Sequence, residues 1–138
     1  MTVFAWTFEG GTKVIVKSAA PIAGNVATTK TCPAGKRWKL LNISVALTTD
    51  GTVVNRTVTI YKRDAAASIV FMNIASVQAE SLGPLYKYFT IGAGTVGGTI
   101  NELGTNLLDP TDDVYIAIGA GVAGDSYDYV VEYLEIDI

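Results

Sequence analysis

The chain has 138 residues, a net charge of −3 and a pI of about 4.8, and only 17% of its residues are charged, against about 25% in a typical domain. This acidic balance disfavours a general nucleic-acid binder, and no apolar run reaches the roughly 18 residues of a membrane helix, so we expect neither partner. Hydrophobic residues make up 49% of the chain, which predicts that part of the surface is covered by other proteins.

The residue types that carry most enzyme chemistry are scarce. The chain has no His, which excludes Ser-His and Cys-His nucleophiles, and its single cysteine, Cys32, argues against a zinc site because zinc favours His and Cys ligands. Cys32 cannot form an internal disulfide and fits a reducing compartment. A Ser-Lys pair stays open, but the sequence singles out none. We therefore predict a protein that is not an enzyme and binds no cofactor.

Residues 1–10 are predicted to form an N-terminal arm or first strand. Phe4, Trp6 and Phe8 lie on one side of this alternating segment, which makes them candidates for contact with another protein. Residues 11–138 are expected to form a single β-sandwich domain. It begins with short strands at 13–17 and 25–29, separated by Pro21 and Gly24.

A turn at Pro33-Ala34-Gly35 precedes the longest predicted strand, residues 36–49. Its odd positions from Leu41 to Leu47 are apolar and its even positions are small and polar, which is typical of a strand with one face in the core. At the start of the strand the pattern is reversed, because Trp38 and Leu40 take even positions. We therefore expect a twist or bulge that changes the buried face.

Further strands are predicted at 53–63, 68–74, 85–91 and 114–118, with a weak one at 101–108. The segment 76–83 is a predicted loop or short helical turn, and four glycines make 92–98 a flexible connection. The last strand, 125–138, places Tyr127, Tyr129, Val131 and Tyr133 on one face. This spacing predicts an all-β, antiparallel β-sandwich, a single jelly roll of about 8–10 strands.

Charge is unevenly distributed along the chain. Nine of the ten basic residues lie within residues 1–66, whereas the segment from Asp109 to the end has eight acids and no base. Such a division suits early strands that pair with late ones, or a head-to-tail contact between subunits. Ordinary surface charge without a docking role is an equally good interpretation.

Carboxylates and tyrosines are the remaining candidates for chemistry. Asp109, Asp112 and Asp113, and the pair Asp125 and Asp128, could hold Ca²⁺, but Asp also begins turns by satisfying backbone N–H groups, which is the stronger interpretation. Glu132 and Glu135 fall on opposite faces of a strand, so their proximity in sequence does not make them a glycosidase pair; a pair drawn from different strands stays open. Six tyrosines could line a sugar-binding face, although packing on half-buried strands is favoured for them: Tyr86, Tyr88, Tyr115, Tyr127, Tyr129 and Tyr133.

Two stretches carry a resemblance to a known family. The chain resembles small tailed-phage and prophage virion proteins in the segment Pro33-Ala34-Gly35-Lys36-Arg37-Trp38-Lys39-Leu40-Leu41, followed by Val54-Asn55-Arg56-Thr57-Val58. It also resembles them at its end, with Gly124-Asp125-Ser126-Tyr127 and an acidic last strand. The resemblance covers about half the chain and comprises strand starts and turns. It implies a jelly-roll head-decoration or tail-associated subunit, commonly a trimer, that builds or reinforces a particle.

The sequence therefore predicts a viral structural protein that decorates or stabilises a capsid and is located in the virion after synthesis in the host cytoplasm. Its expected partners are copies of itself, with a homotrimer favoured, and the major capsid protein or other virion proteins. The alternative is a carbohydrate- or receptor-binding module of a phage tail or fibre. The candidate interface residues are Phe4, Trp6, Phe8, Tyr127, Tyr129 and Tyr133.

Overall fold

A computed structural model of the protein describes residues 11–67, 69–90, 100–102 and 107–138. Every regular element in these ranges is a β-strand. The strands of the described chain are β1 (Thr12–Lys17), β2 (Ile22–Ala23), β3 (Thr28–Thr31), β4 (Lys36–Thr48), β5 (Thr57–Arg63), β6 (Ile69–Ile74), β7 (Leu85–Thr90), β8 (Ile100–Glu102), β9 (Leu107–Leu108), β10 (Asp113–Gly119) and β11 (Ser126–Asp137).

The strands form two sheets. One runs β1–β11–β4–β7–β8, with the two-residue strands β2 and β9 paired to β11 and β4, and the other runs β3–β10–β5–β6. Neighbours are antiparallel except for β7 and β8, which are parallel. When the short β2, β8 and β9 are set aside and the other eight strands are lettered B to I, the sheets read B–I–D–G and C–H–E–F. This is the strand order of a jelly roll, so the predicted fold is confirmed.

The core lies between the two sheets, where the alternating pattern of β4 predicted it. Ile43, Val45 and Leu47 of β4 are fully buried, as are Val114 and Ile116 of β10 in the opposite sheet. The side-chain period of two in a strand explains why this face could be read from the sequence.

The predicted change of buried face in β4 is also present. Asn42 pairs with Glu132 and Leu40 pairs with Tyr133, so Leu41 is an extra residue in β4. Trp38 and Leu40 are buried before this bulge, and Ile43 begins the buried series after it. Leu41 was expected on the apolar face but is only partly buried, because it is the residue that has no partner in the ladder.

The predicted strand at 53–63 begins later than expected, at Thr57. In the segment before Thr57, the carbonyl oxygens of Thr52 and Val54 accept hydrogen bonds from the guanidinium of Arg56, at 2.8 and 2.6 Å. These two carbonyl groups therefore have hydrogen-bond partners without a neighbouring strand.

Other boundaries also shift. The strand expected at 25–29 lies at Thr28–Thr31, and the loop expected at 76–83 contains no helical turn. The expected N-terminal arm at 1–10 and the glycine-rich connection at 92–98 lie outside the described residues.

The early basic residues and the late acidic residues lie close together in the folded chain. The sheet order places early strands beside late ones, since β11 lies between β1 and β4 and β10 lies between β3 and β5. Most ion pairs of the described residues accordingly join an early base to a late acid: Lys13–Glu132, Lys36–Asp137, Arg37–Asp109, Arg56–Asp125 and Arg63–Asp113. The first interpretation of the charge split, pairing of early with late strands, is therefore the one that the fold uses.

Candidate functional site

The predicted interface residues divide into two groups. Phe4, Trp6 and Phe8 lie outside the described residues. Tyr127, Tyr129 and Tyr133 lie on the core face of β11, with 1%, 6% and 6% of their surface exposed.

Specific contacts fix the rings of Tyr127 and Tyr133 in the interior, and the Nζ of Lys30 lies 5.1 Å from the centroid of the Tyr129 ring. The hydroxyl of Tyr127 donates to the carbonyl oxygen of Val26 at 2.7 Å and lies 2.8 Å from the Thr28 hydroxyl. The Tyr133 ring stacks on Trp38 with ring centroids 4.0 Å apart, and burial raises the pKa of both tyrosine hydroxyls. These rings stabilise the core of the sandwich, so an outer contact made by β11 would have to use its opposite face.

The exposed apolar side chains are concentrated elsewhere. Twelve large hydrophobic side chains of the described chain are exposed, and six of them lie within the fifteen residues from 74 to 88. We call these six the β6–β7 surface: Ile74, Val77, Leu82, Leu85, Tyr86 and Tyr88. Their exposed fractions run from 37% for Leu82 to 55% for Val77. These six are close in the chain, and Tyr86 and Tyr88 are also in contact with each other; exposed apolar side chains that lie together mark contact sites more often than scattered ones do.

Two tyrosines form the flat part of this surface. Tyr86 and Tyr88 alternate with the buried Lys87, so both rings project from the outer face of β7. Their centroids are 6.2 Å apart and their planes are 14° from parallel. The facing positions on β4 are Ala46 and Ser44, whose small side chains leave the rings standing above the sheet.

A second feature lies on the outer face of the other sheet. Tyr61 of β5 and Tyr115 of β10 are paired across the ladder, and their ring centroids are 5.8 Å apart. Arg63 lies over the Tyr115 ring, 4.1 Å from its centroid, and its Nε and Nη2 donate to the two oxygens of Asp113 at 2.8 and 3.0 Å. A cavity of about 370 Å³ opens over these groups. Of these residues the sequence singles out Tyr115 alone, because the register that brings Tyr61 and Arg63 beside it is not visible in the chain order.

The acidic residues considered for calcium are engaged with the protein itself. Asp109 accepts from Arg37 at 2.9 Å, and Asp113 accepts from Arg63. Asp128 accepts from the Ser18 hydroxyl at 2.9 Å. No group of three acidic, His or Cys side chains in the described ranges is placed to hold a metal ion. The predicted turn role is seen at Asp112, whose Oδ2 accepts from the backbone N–H of Asp109 at 3.0 Å.

Asp125 belongs to a buried cluster around Arg56, whose side chain is completely buried. Nε and Nη2 of Arg56 donate to the two oxygens of Asp125 at 2.9 and 3.0 Å, and Nη2 also donates to Asp50 at 2.8 Å. Burial alone would raise the pKa of the Asp125 carboxyl. Hydrogen bonds from Arg56 and from the backbone N–H groups of Asp50 and Val122, together with the Arg56 charge, outweigh burial and lower it.

A buried lysine was missed by the sequence analysis. Lys87 is only 5% exposed, and its Nζ donates to the Ser76 hydroxyl at 3.1 Å. Desolvation lowers the pKa of Lys87. The structure thus singles out the Ser-Lys contact that the sequence left open. The signal that could have found it is the alternation of residues 85–91, which places Lys87 on the same side as Phe89.

Cys32 is also buried, with no exposed surface. Desolvation and the nearby carboxylates, Glu135 first among them, raise the pKa of its thiol to about 11. A thiol held in this way is an apolar packing group and not a nucleophile.

The described residues contain no helix with the length and hydrophobicity of a membrane span. No protein-family model matches the sequence, and no curated protein matches it. Among solved structures, the chain is similar to one described as "Cyanophage Pam1 capsid asymmetric unit", with a TM-score of 0.43 and 19% sequence identity. The similarity covers 90% of this chain and 85% of that chain. Similarity at this level does not establish a shared function.

Proposed function

We propose that this chain is a structural subunit of a phage virion, which assembles with copies of itself on the capsid surface and stabilises or decorates the particle. The β6–β7 surface carries this proposal. It exposes six large apolar side chains on a chain with few charges, and such a surface is costly in water unless another protein covers it.

Two further observations support the proposal. The jelly roll is a fold that viral capsid and lectin domains use, although a fold alone does not specify a function. The resemblance of residues 33–41 and 54–58 to virion proteins of tailed phages supports a component of a virus particle among the proteins that use this fold. A homotrimer bound to the major capsid protein is the arrangement that this resemblance favours.

In this proposal, each copy of the chain on the particle buries apolar surface against its neighbours, and the many contacts together stabilise the particle. A standard interface covers about 800 Å² on each partner, and exposed side chains of the β6–β7 surface would supply its apolar part. Each contact can be modest, because a subunit that is held at several points on one particle dissociates only when all of them open together. The described part of the chain offers Val77 and Tyr86 as the most exposed members of the surface.

Self-assembly is tested by light scattering coupled to size-exclusion chromatography at micromolar concentrations. We expect an oligomer for the wild type and a shift towards monomer for the double variant Val77→Ser, Tyr86→Ser. Val53→Ser is the matched control, since Val53 is 84% exposed and lies outside the β6–β7 surface. A wild-type protein that is monomeric at these concentrations would overturn self-assembly.

The particle role requires a separate test. Mass spectrometry of purified virions should detect the protein at a fixed ratio to the major capsid protein. Absence of the protein from virions, in cells that express it during infection, would overturn the virion assignment even if the protein is oligomeric.

A further inference from the structure

The cavity above Tyr61 and Tyr115 has features that the proposed particle role does not need. It lies on the outer face of the β3–β10–β5–β6 sheet, at the end of the hairpin that joins β5 to β6. Its volume of about 370 Å³ falls at the lower end of the range of small-molecule sites. The side chains that line it are Tyr61, Arg63, Ala67, Ile69, Tyr115 and Ala117.

Local departures from regular structure build one wall of this cavity. Lys62 pairs with Phe71 but Arg63 pairs with Ile69, so β6 contains one extra residue at this point. Without this bulge Ile69 would fall on the core face; with it, Ile69 lies opposite Arg63 and lines the cavity. In the turn that precedes β6, Ala67 has a φ of 60°, which is a left-handed conformation. A hydrogen bond from the Ala67 N–H to the Asp64 carbonyl oxygen, at 2.9 Å, stabilises it.

The polar group of the cavity is held in place before any ligand binds. The guanidinium of Arg63 makes two hydrogen bonds to Asp113 and packs over the Tyr115 ring. Only 20% of the Arg63 side chain and 11% of the Asp113 side chain are exposed. A ligand therefore meets a rigid donor and does not have to order a flexible arginine, which favours binding.

The same ion pair indicates the charge of the ligand. Asp113 neutralises Arg63 within the cavity wall, so an anion would have to compete with a carboxylate that already holds the guanidinium in a bidentate pair. The rest of the lining is two phenol rings, two alanines and an isoleucine, which offer apolar contact and two hydroxyls. This combination suits an uncharged molecule that is apolar on one face and rich in hydroxyl groups at its edge.

We infer that this cavity binds a neutral saccharide, one pyranose ring of which packs on Tyr61 and Tyr115 while its hydroxyls bond to Arg63 and the tyrosine hydroxyls. The ring C–H groups of a pyranose provide the apolar face, and its hydroxyls provide the polar edge. The inference does not rest on the proposed particle role, because the cavity is lined by none of the six side chains of the β6–β7 surface.

Saturation-transfer NMR with methyl glucoside, methyl galactoside and N-acetylglucosamine tests the site. We expect at least one of these neutral sugars to bind with a dissociation constant on the order of 1 mM. Ala117→Leu should weaken binding about tenfold or more by filling the cavity, and Tyr61→Phe should weaken it less by removing one hydroxyl. Tyr86→Ser is the control and should bind as the wild type does, since Tyr86 is an exposed tyrosine on the other sheet.

Three outcomes would overturn the inference. One is the absence of binding by all three sugars in a protein whose thermal unfolding is normal. A second is binding that survives in Ala117→Leu but is lost in Tyr86→Ser, which would place the site on β7. The third is tighter binding of sialic acid or glucose 6-phosphate than of any neutral sugar, which would show that Arg63 selects an anion.

Discussion

Two buried cations in this sandwich are stabilised in opposite ways. Arg56 directs hydrogen bonds to two carboxylates and two backbone carbonyls, and its charge is matched by Asp125 in the interior. Lys87 is nearly as buried, but the hydrogen bond found for its ammonium group goes to an uncharged hydroxyl, that of Ser76.

The difference shows what burial demands of each type of cation. The fold surrounds the planar guanidinium with acceptors on several sides, so its hydrogen-bond donors are satisfied in the interior. The ammonium of lysine can lose its proton instead, and the lowered pKa of Lys87 shows that burial pushes it in that direction. One site therefore stabilises the fold through a satisfied charge, whereas the other tolerates a charge at a cost.

The largest effect is expected from removing the carboxylate that faces Arg56. Asp125→Ala should lower the free energy of unfolding by about 3–5 kcal/mol, because it leaves a buried guanidinium without its main partner. Urea denaturation measures this change. Asp128→Ala is the control, since Asp128 is exposed and should cost no more than about 1 kcal/mol. Equal effects of the two substitutions would contradict the assigned role of the cluster.

The next effect concerns the partner of Lys87. Ser76→Ala should destabilise the protein by about 1–3 kcal/mol at neutral pH, because the buried ammonium loses its hydrogen-bond acceptor. The same substitution in a Lys87→Met background should have almost no effect, since nothing is left there to satisfy. A double-mutant cycle from denaturation curves measures this coupling, and simple additivity would show that the two groups do not interact.

Replacing Lys87 itself should have a smaller effect of opposite sign. Lys87→Met should leave stability unchanged or raise it by about 1 kcal/mol, because an apolar side chain of similar length does not have to be desolvated as an ion. Lys17→Met on exposed β1 is the matched control and should change stability by less than about 0.5 kcal/mol. A loss of several kcal/mol in Lys87→Met would show that the ammonium group is stabilising.

The smallest effect is a dependence on alkaline pH. Between the lowered pKa of Lys87 in the folded state and its ordinary value of 10.5, the unfolded chain binds more protons than the folded one, so stability should rise with pH. Tyr127, Tyr133 and Cys32 have raised pKa values and act in the opposite direction. The difference between wild type and Lys87→Met isolates the lysine; a difference that is constant from pH 7 to 10.5 would contradict the lowered pKa.

The sequence by itself determined most of the strands and which side chains share a face of each. Alternation identified the core side of β4, and the reversal at Trp38 and Leu40 predicted a twist or bulge, which the structure has at Leu41. It could do so because the side-chain period of a strand is a local property that each segment carries independently of its neighbours.

Only the tertiary structure decided which distant groups meet. Arg56 and Asp125 are 69 residues apart in the chain, and Tyr61 faces Tyr115 only because β5 lies beside β10 in a particular register. The rings of Tyr127, Tyr129 and Tyr133 could be placed on one face from the sequence, but not on the inner one. Strand order, register and the side that a sheet turns to the core depend on all strands packing together, so no single segment encodes them.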